Sequence, residues 1–257
     1  MKLLYKISPI LFLSIILLLW ELLPLLFNTP TYVFPRISEI YQSIVFVKDV
    51  VISNAFTTLH EAILGFLLGS CIGFATGMLM AESKLFERVF LPYVVGSNAV
   101  PAVALAPLVV LWFGHGIESK VILVAFLCFF PLSINTFRGL CEYPSIYKEL
   151  FFTYGAKNRE FLWKFKMRNA LPYIFSGLKL NATYSVVGAI VAEFVGSSSG
   201  LGFGMLQASY NINTPRLFGY IIIACAMGLS MYYLILLIEK YCLTNNLGRS
   251  SALPERQ

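Results

Sequence analysis

The stretch CEYPSIYKELFFTYGAKNREFLWKFKMRNALP, residues 141–172, interrupts a chain that is otherwise a succession of apolar runs. Residues 138–170 hold seven basic side chains (Arg138, Lys148, Lys157, Arg159, Lys164, Lys166 and Arg168) against Glu142, Glu149 and Glu160. A basic block between two membrane spans belongs on the cytoplasmic side, because Lys and Arg resist translocation. Within it, Tyr147, Leu150, Phe151 and Tyr154 recur at helical spacing and predict a short helix with one apolar face. Gly155 supplies a break, and Phe161, Leu162 and Phe165 start a second amphipathic turn ahead of Leu171-Pro172. A helix–glycine–helix unit too small to hold a core of its own reads as a docking element. An interfacial helix resting on anionic lipid is the competing reading, and the residues alone leave both open.

The chain has 257 residues, 58% hydrophobic and 12% charged, where a soluble domain carries about 25% charged residues. That balance defines a multi-spanning membrane protein embedded in a lipid bilayer. The net charge of +6 is no sign of nucleic-acid binding, because 14 of the 19 Lys/Arg fall in segments assigned to the cytoplasm. Cys71, Cys128, Cys141, Cys225 and Cys242 lie in or at the ends of apolar runs, without the clustering of metal ligands or disulfides. His60 and His115 are isolated. No metal and no cofactor is expected.

Hydropathy divides the chain into six transmembrane helices within one domain over 1–257. Lys2 and Lys6 precede an apolar run over 7–27. At 1.5 Å per residue it crosses about 30 Å of hydrocarbon, and it lacks a small-x-small cleavage site. An external segment, 28–56, follows, with a surface helix over 37–47 capped by Ser38. The second span, 57–80, carries Gly65, Gly69, Gly73 and Gly77 on one stripe, a close helix–helix contact within the chain or across a dimer. The third, 89–113, contains Pro92, Pro101 and Pro107, which kink or break a helix. Such backbone is tolerated at membrane depth where it is buried or lines a watery cavity, so Pro101 and Pro107 are candidate pathway residues; a bent packing helix is the plainer reading. Spans over 119–140, 173–195 and 217–243 complete the set. Both termini then lie in the cytoplasm, and 196–215, with its GLGFG run, is a flexible external turn.

No catalytic set is present. There is no phosphate loop GxxxxGK[ST], no HExxH and no nucleophile elbow, so the chain hydrolyses no nucleotide of its own. Glu193 lies near the outer end of the fifth span, and a charge at the bilayer centre costs roughly 2.5–3.5 kcal/mol. It either lines the pathway or reaches the interface from the span end. Lys179, in the same span, is expected to snorkel to the inner interface.

Glu149 and Gly155, six residues apart and followed by Leu171-Pro172, resemble the EAA loop of binding-protein-dependent ABC importer permeases. The likeness is greatest to the nitrate, sulfonate, taurine and thiamine-precursor branch. FPRISEI (34–40), ALAPLVVLWFGHGIESK (104–120), LPYIFSGLKL (171–180) and VAEFVGSSSGLGFGMLQA (191–208) resemble that branch's segments in the right order. The resemblance implies a type I importer fold, a coupling helix between the fourth and fifth spans, and a place in the inner (cell) membrane. It also implies two cytoplasmic ATP-binding subunits, a second permease copy in a homodimer, and an external solute-binding protein. Carried over residue by residue, Glu149, Gly155 and Ala156 form the coupling turn, with Tyr147, Leu150 and Phe151 on its helix. Leu171 and Pro172 mark re-entry into the membrane. The family's two alanines are here Leu150 and Phe151, which implies an ATPase groove shaped for bulky side chains. The solute would be nitrate, a sulfonate, taurine or a pyrimidine-type vitamin precursor, with a lean to the last. A secondary transporter using Glu193 is the rival class.

Overall fold

Glycines 65, 69, 73 and 77 fall on one stripe of α3 (Lys48–Glu82), and that stripe lies against α6 (Ile117–Cys141) of the same chain. A Cβ at Gly69 would strike the Ala125 backbone, and at Gly73 and Gly77 the carbonyls of Phe129 and Ser133. The contact left open between subunit and dimer is thus internal. On its other side α6 meets α9 (Met167–Phe194), again through small residues. Gly139 abuts Ala170 and Tyr173, Gly177 abuts Leu132 and Asn135, and Gly188 abuts Val124 and Leu127. Side-chain van der Waals contact is what drives helix association in lipid, and missing Cβ atoms bring whole backbones within its range. Midway along, the Asn181 amide, fully buried, donates to Ser70 Oγ of α3 (2.9 Å) and to the Cys128 carbonyl of α6 (2.7 Å). One side chain ties three helices.

The computed structural model describes residues 2–97 and 99–247, with side chains from 11 to 243, residue 98 excepted. Among these the chain is all helical. The remaining elements are α1 (Lys2–Leu26), α2 (Ile37–Phe46), α4 (Lys84–Ser97), α5 (Ala102–Phe113), α7 (Ser145–Thr153), α8 (Asn158–Phe161), α10 (Leu201–Tyr210) and α11 (Thr214–Leu247). They form two compact units, Met1–Thr58 with Ser198–Cys225, and Leu59–Ser197 with Ala226–Gln257.

In the second unit, Ala62, Val124, Cys128, Val186 and Ala189 make a buried cluster, and Leu132, Leu140, Ala170 and Ile174 another. Lys179 does not snorkel. Its ammonium pairs with Glu239 of α11 at 2.8 Å, both side chains largely buried. The third predicted span is two helices, α4 and α5, meeting at 104°. Pro101 caps α5, and the residue before a proline avoids the helical region, so the chain turns there.

In the first unit, Trp20 of α1 stacks on Phe34 and donates Nε1–H to the Pro35 carbonyl (3.0 Å). The cap of α2 is not Ser38: the Arg36 N–H donates to the Glu39 carboxylate (3.0 Å), while the Ser38 hydroxyl donates to Glu21 of α1 (2.6 Å). Residues 196–215 are not a flexible turn, since they contain α10. Gly200, at φ +105, starts that helix. Its N–H donates to Asn54 Oδ1 (3.0 Å) and the Leu201 N–H to Thr58 Oγ (2.8 Å), so two α3 side chains cap α10 across more than 140 residues of sequence.

Among the described residues, four helices are long and apolar enough to cross a membrane: α3, α6, the continuous helix Asn158–Phe194 and the Thr214–Leu243 part of α11. The bent α4–α5 pair is a fifth candidate, and Leu11–Leu26 is a shorter apolar helix. Span limits shift accordingly. The second span begins at Lys48 rather than 57, taking in the end of the segment read as external. The fifth begins before Leu171-Pro172, which sit inside α9 rather than at its entry.

Overpacking a fitted contact costs about 1–3 kcal/mol. Gly69→Val is expected to lower the thermal midpoint of the purified protein by several degrees, whereas Gly228→Val, with nothing within 4 Å of its Cβ, leaves it unchanged. Scanning fluorimetry in one detergent compares the two.

Candidate coupling site between α6 and α9

Pro144 caps α7, and Gly155 ends it. Gly155 sits at φ +73, where a Cβ costs roughly 1–2 kcal/mol. The Ala156 N–H returns to the Phe151 carbonyl and the Gly155 N–H to the Phe152 carbonyl, both at 3.0 Å. This is the paired six-to-one and five-to-two closure of a Schellman motif. The spacing of Glu149, Gly155 and Ala156 thus has a local cause: a short helix needs a left-handed residue at its end, followed by a free N–H.

The turn has a core, contrary to the expectation from its size. Phe161 of α8 is 3% exposed. Its ring stacks on Phe165 (5.3 Å between centroids) and meets Tyr143 edge-on (5.4 Å) and Phe151 at a tilt (5.3 Å). Tyr147 stacks on Phe165 at 4.9 Å. Lys166 lies 6.0 Å over the Tyr143 ring and bridges to Glu82, at the end of α3, at 2.8 Å. A π turn, Leu162–Lys166, joins α8 to α9 without a break. The aromatic cluster is therefore mounted on the end of a membrane helix.

The single apolar face read from Tyr147, Leu150, Phe151 and Tyr154 divides in two. Phe151 turns into the ring cluster, and Tyr147, 43% exposed, stacks on its rim at Phe165. Leu150 is 50% exposed and Tyr154 83%, and with Ile146, which the spacing argument missed, they form an outward stripe at four-residue intervals. Glu149 is exposed beside it, without an ion-pair partner among the described residues. Leu171 packs with Phe66 and Phe175 in the membrane core, one turn from the cluster, and Pro172 is exposed within α9.

The residues proposed for a pathway do not gather. Pro101 and Pro107 are exposed on α5, whereas Glu193 is 1% exposed. Two other ionisable side chains of this unit are nearly as deeply buried, Glu61 of α3 and Lys120 of α6, each 3% exposed, and the Lys120 ammonium donates to the His115 and Gly116 carbonyls (2.6 and 3.0 Å). Neither Glu61 nor Lys120 was singled out from the sequence. The available signal was an acid one turn ahead of the glycine stripe, inside an apolar run. No group of three or more His, Cys, Asp or Glu placed to hold a metal occurs among the described residues.

An all-helical body of apolar spans bearing a braced helical turn on one end defines an α-helical integral membrane protein. Residues 65–241 match the family model described as binding-protein-dependent transport system inner membrane component, and the chain belongs to that family. It is 32% identical over 229 residues (89% of this chain, 94% of the relative) to a probable ABC transporter permease protein of Haemophilus influenzae. Identity is 30% over 237 residues (92% and 95%) to the formylaminopyrimidine transport permease protein ThiX of Halalkalibacterium halodurans. It is 35% over 188 residues (71% and 66%) to the putative aliphatic sulfonates transport permease protein SsuC of Bacillus subtilis. Among solved structures, the inward-facing MetNI methionine ABC transporter aligns with a TM-score of 0.65 at 17% identity, covering 75% of this chain and 95% of that one. The fold is that of a type I ABC importer permease.

Removing a buried phenyl ring costs about 3–5 kcal/mol. Phe161→Ala is expected to loosen the turn and speed tryptic cleavage at Lys157 and Arg159 by at least tenfold, while Tyr154→Ala cleaves at the parent rate. Timed limited proteolysis resolves them.

Proposed function

We propose that the whole chain, 1–257, serves as the permease domain of an ABC importer, paired with a second copy of itself in the inner membrane. Two cytoplasmic ATPase subunits drive the pair, and an external solute-binding protein feeds it. The basic content of 138–170 supports a cytoplasmic position for the turn and, with it, cytoplasmic termini. The observation that carries the reading is the division of α7 into two faces. Ile146, Leu150 and Tyr154 offer apolar surface to a groove, with Glu149 at its edge. Tyr147 and Phe151 brace the helix on rings continuous with α9. Closure of the ATPase pair on ATP would press on the stripe, and the ring cluster would pass the load to α9 and so to α6.

ATP hydrolysis resides in the partner subunits. For the solute we propose a small pyrimidine-type vitamin precursor or a sulfonate, because relatives at 30% and 35% identity carry the names of formylaminopyrimidine and aliphatic sulfonate transport. Of the two, the vitamin-precursor relative matches over more of both chains.

Gly155→Pro, in the assembled transporter, is expected to reduce uptake more than tenfold while ATP hydrolysis continues and the permease stays in the membrane. Uptake at the parent rate would overturn the coupling assignment. Mass spectrometry of the ligand carried by the co-purified binding protein tests the solute: a sugar or a peptide there would reject both classes.

A further inference from the structure

The helix that carries the turn into the membrane contains a joint. Asn158–Phe194 is continuous, but Leu162–Lys166 is wound as a π turn, and helices bend at such rare local rewindings, which collect at functional sites. A push on α7 would be absorbed by bending there unless something holds the joint. Beyond it, α9 is fastened to the end of α6. The Asn169 amide donates to the carbonyls of Gly139 (3.1 Å) and Glu142 (3.0 Å), and the Tyr173 hydroxyl donates to the Glu142 carboxylate (3.1 Å). On the near side, Phe151 and Phe152 of α7 pack on the Phe161 ring, one residue ahead of the joint.

Lys166 spans the joint. Its ammonium reaches the Glu82 carboxylate of α3 at 2.8 Å, with only 14% of the lysine side chain exposed. The same ammonium lies 5.9 and 6.0 Å from the Phe161 and Tyr143 ring centres, so one cation stands against the ring cluster and α3 together. Glu82 is otherwise badly placed. It is the last residue of α3, at the negative end of the helix dipole, where an anion is unfavourable. Its own helix gives no reason for an acid there; the ammonium does. Lys164 provides the contrast. It pairs with Glu160 at 3.0 Å, but both are exposed and lie one turn apart on the same helix, so that pair ties the turn to nothing else.

We infer that Lys166 and Glu82 are a positioning pair that stiffens the π turn, so that displacement of α7 reaches the packed helices α3, α6 and α9 instead of being taken up at Leu162–Lys166. This role rests on the importer reading. The partner ATPases meet the stripe of Ile146, Leu150 and Tyr154, and the pair acts one step further in. Breaking it leaves recognition intact and interrupts transmission.

The test uses the full-length permease assembled with its ATP-binding subunits, with Tyr184→Cys as a reporter at an exposed position of α9. Peptide mass spectrometry follows alkylation of that cysteine, without nucleotide and with ATP trapped by vanadate. In the parent, trapping is expected to change the rate by about threefold or more, since packed helices shift between discrete arrangements. Lys166→Glu and Glu82→Lys each set like charges against one another and are expected to cut the change below about 1.5-fold. The ATP-binding subunits still co-purify at the parent level. The double swap, Lys166→Glu with Glu82→Lys, restores opposite charges and most of the response, and Lys164→Glu leaves it at the parent value. Lys166→Gln is expected to lose the response with a thermal midpoint within about 2 °C of the parent, because an ion pair with one solvent-facing partner adds little stability. A pair that served stability alone would shift the midpoint and spare the response. Full response in either single swap, a double swap no better than the singles, or equal damage from Lys164→Glu would overturn the pair's role and leave the importer reading standing. A parent that holds no ATP-binding subunit, or gives no response to trapping, would overturn both.

Discussion

The structure depends on α6 being gripped from both sides at backbone distance. On one side four glycines of α3 remove the atoms that would hold the helices apart; on the other, Gly139, Gly177 and Gly188 do the same between α6 and α9. In hydrocarbon no hydrophobic force distinguishes helix from lipid, so shape fit and a few polar ties must supply the association. Asn181 is such a tie, at the level where three backbones converge. A contact of this kind is close to all-or-none, because a packed interface shifts between arrangements rather than stretching. The three helices are therefore expected to move as a block.

The turn between α6 and α9 draws on the same rigidity. Its outer stripe could be replaced by other apolar residues with little effect on the fold, because Ile146, Leu150 and Tyr154 touch little of their own chain. The inner rings have no such freedom. Tyr147, Phe151, Phe161 and Phe165 must fit one another, and Lys166 must reach Glu82. In the proposed coupling role, recognition and transmission would fall on neighbouring faces of a nine-residue helix and its cap.

Much of this was legible in the sequence, and the gaps have physical causes. Apolar run length and the basic block gave the helical membrane class, and the four-residue glycine repeat announced a close contact, because those signals come from solvent transfer and sterics along one helix. The partner of the glycine stripe was not legible: periodicity names the face that is bare, not what fills it. Gly155 was found because its left-handed backbone is a local need, and the helix boundary at Ser145–Thr153 follows from it. The division of the α7 face was missed because Phe161 and Phe165, which take up half of it, arrive after the turn. Helix α10 was hidden because its start is capped by Asn54 and Thr58, far away in sequence. Glu61 and Lys120 went unnoticed for a related reason. Each is unremarkable in its own segment, and only its burial among neighbouring helices sets it apart.

The Lys179–Glu239 bridge has a bearing on biogenesis. Its partners are 60 residues apart, so during synthesis α9 enters the bilayer before its counter-ion exists. Until α11 emerges, the ammonium must stay near the headgroups or shelter in the translocation machinery, since an unpaired charge in hydrocarbon is costly. Helix α11 then acts as a clasp, drawing α9 to its final depth only after residue 239 has been made. A transcript cut short before residue 239 would leave a half-seated helix, a form that membrane quality control can recognise and remove.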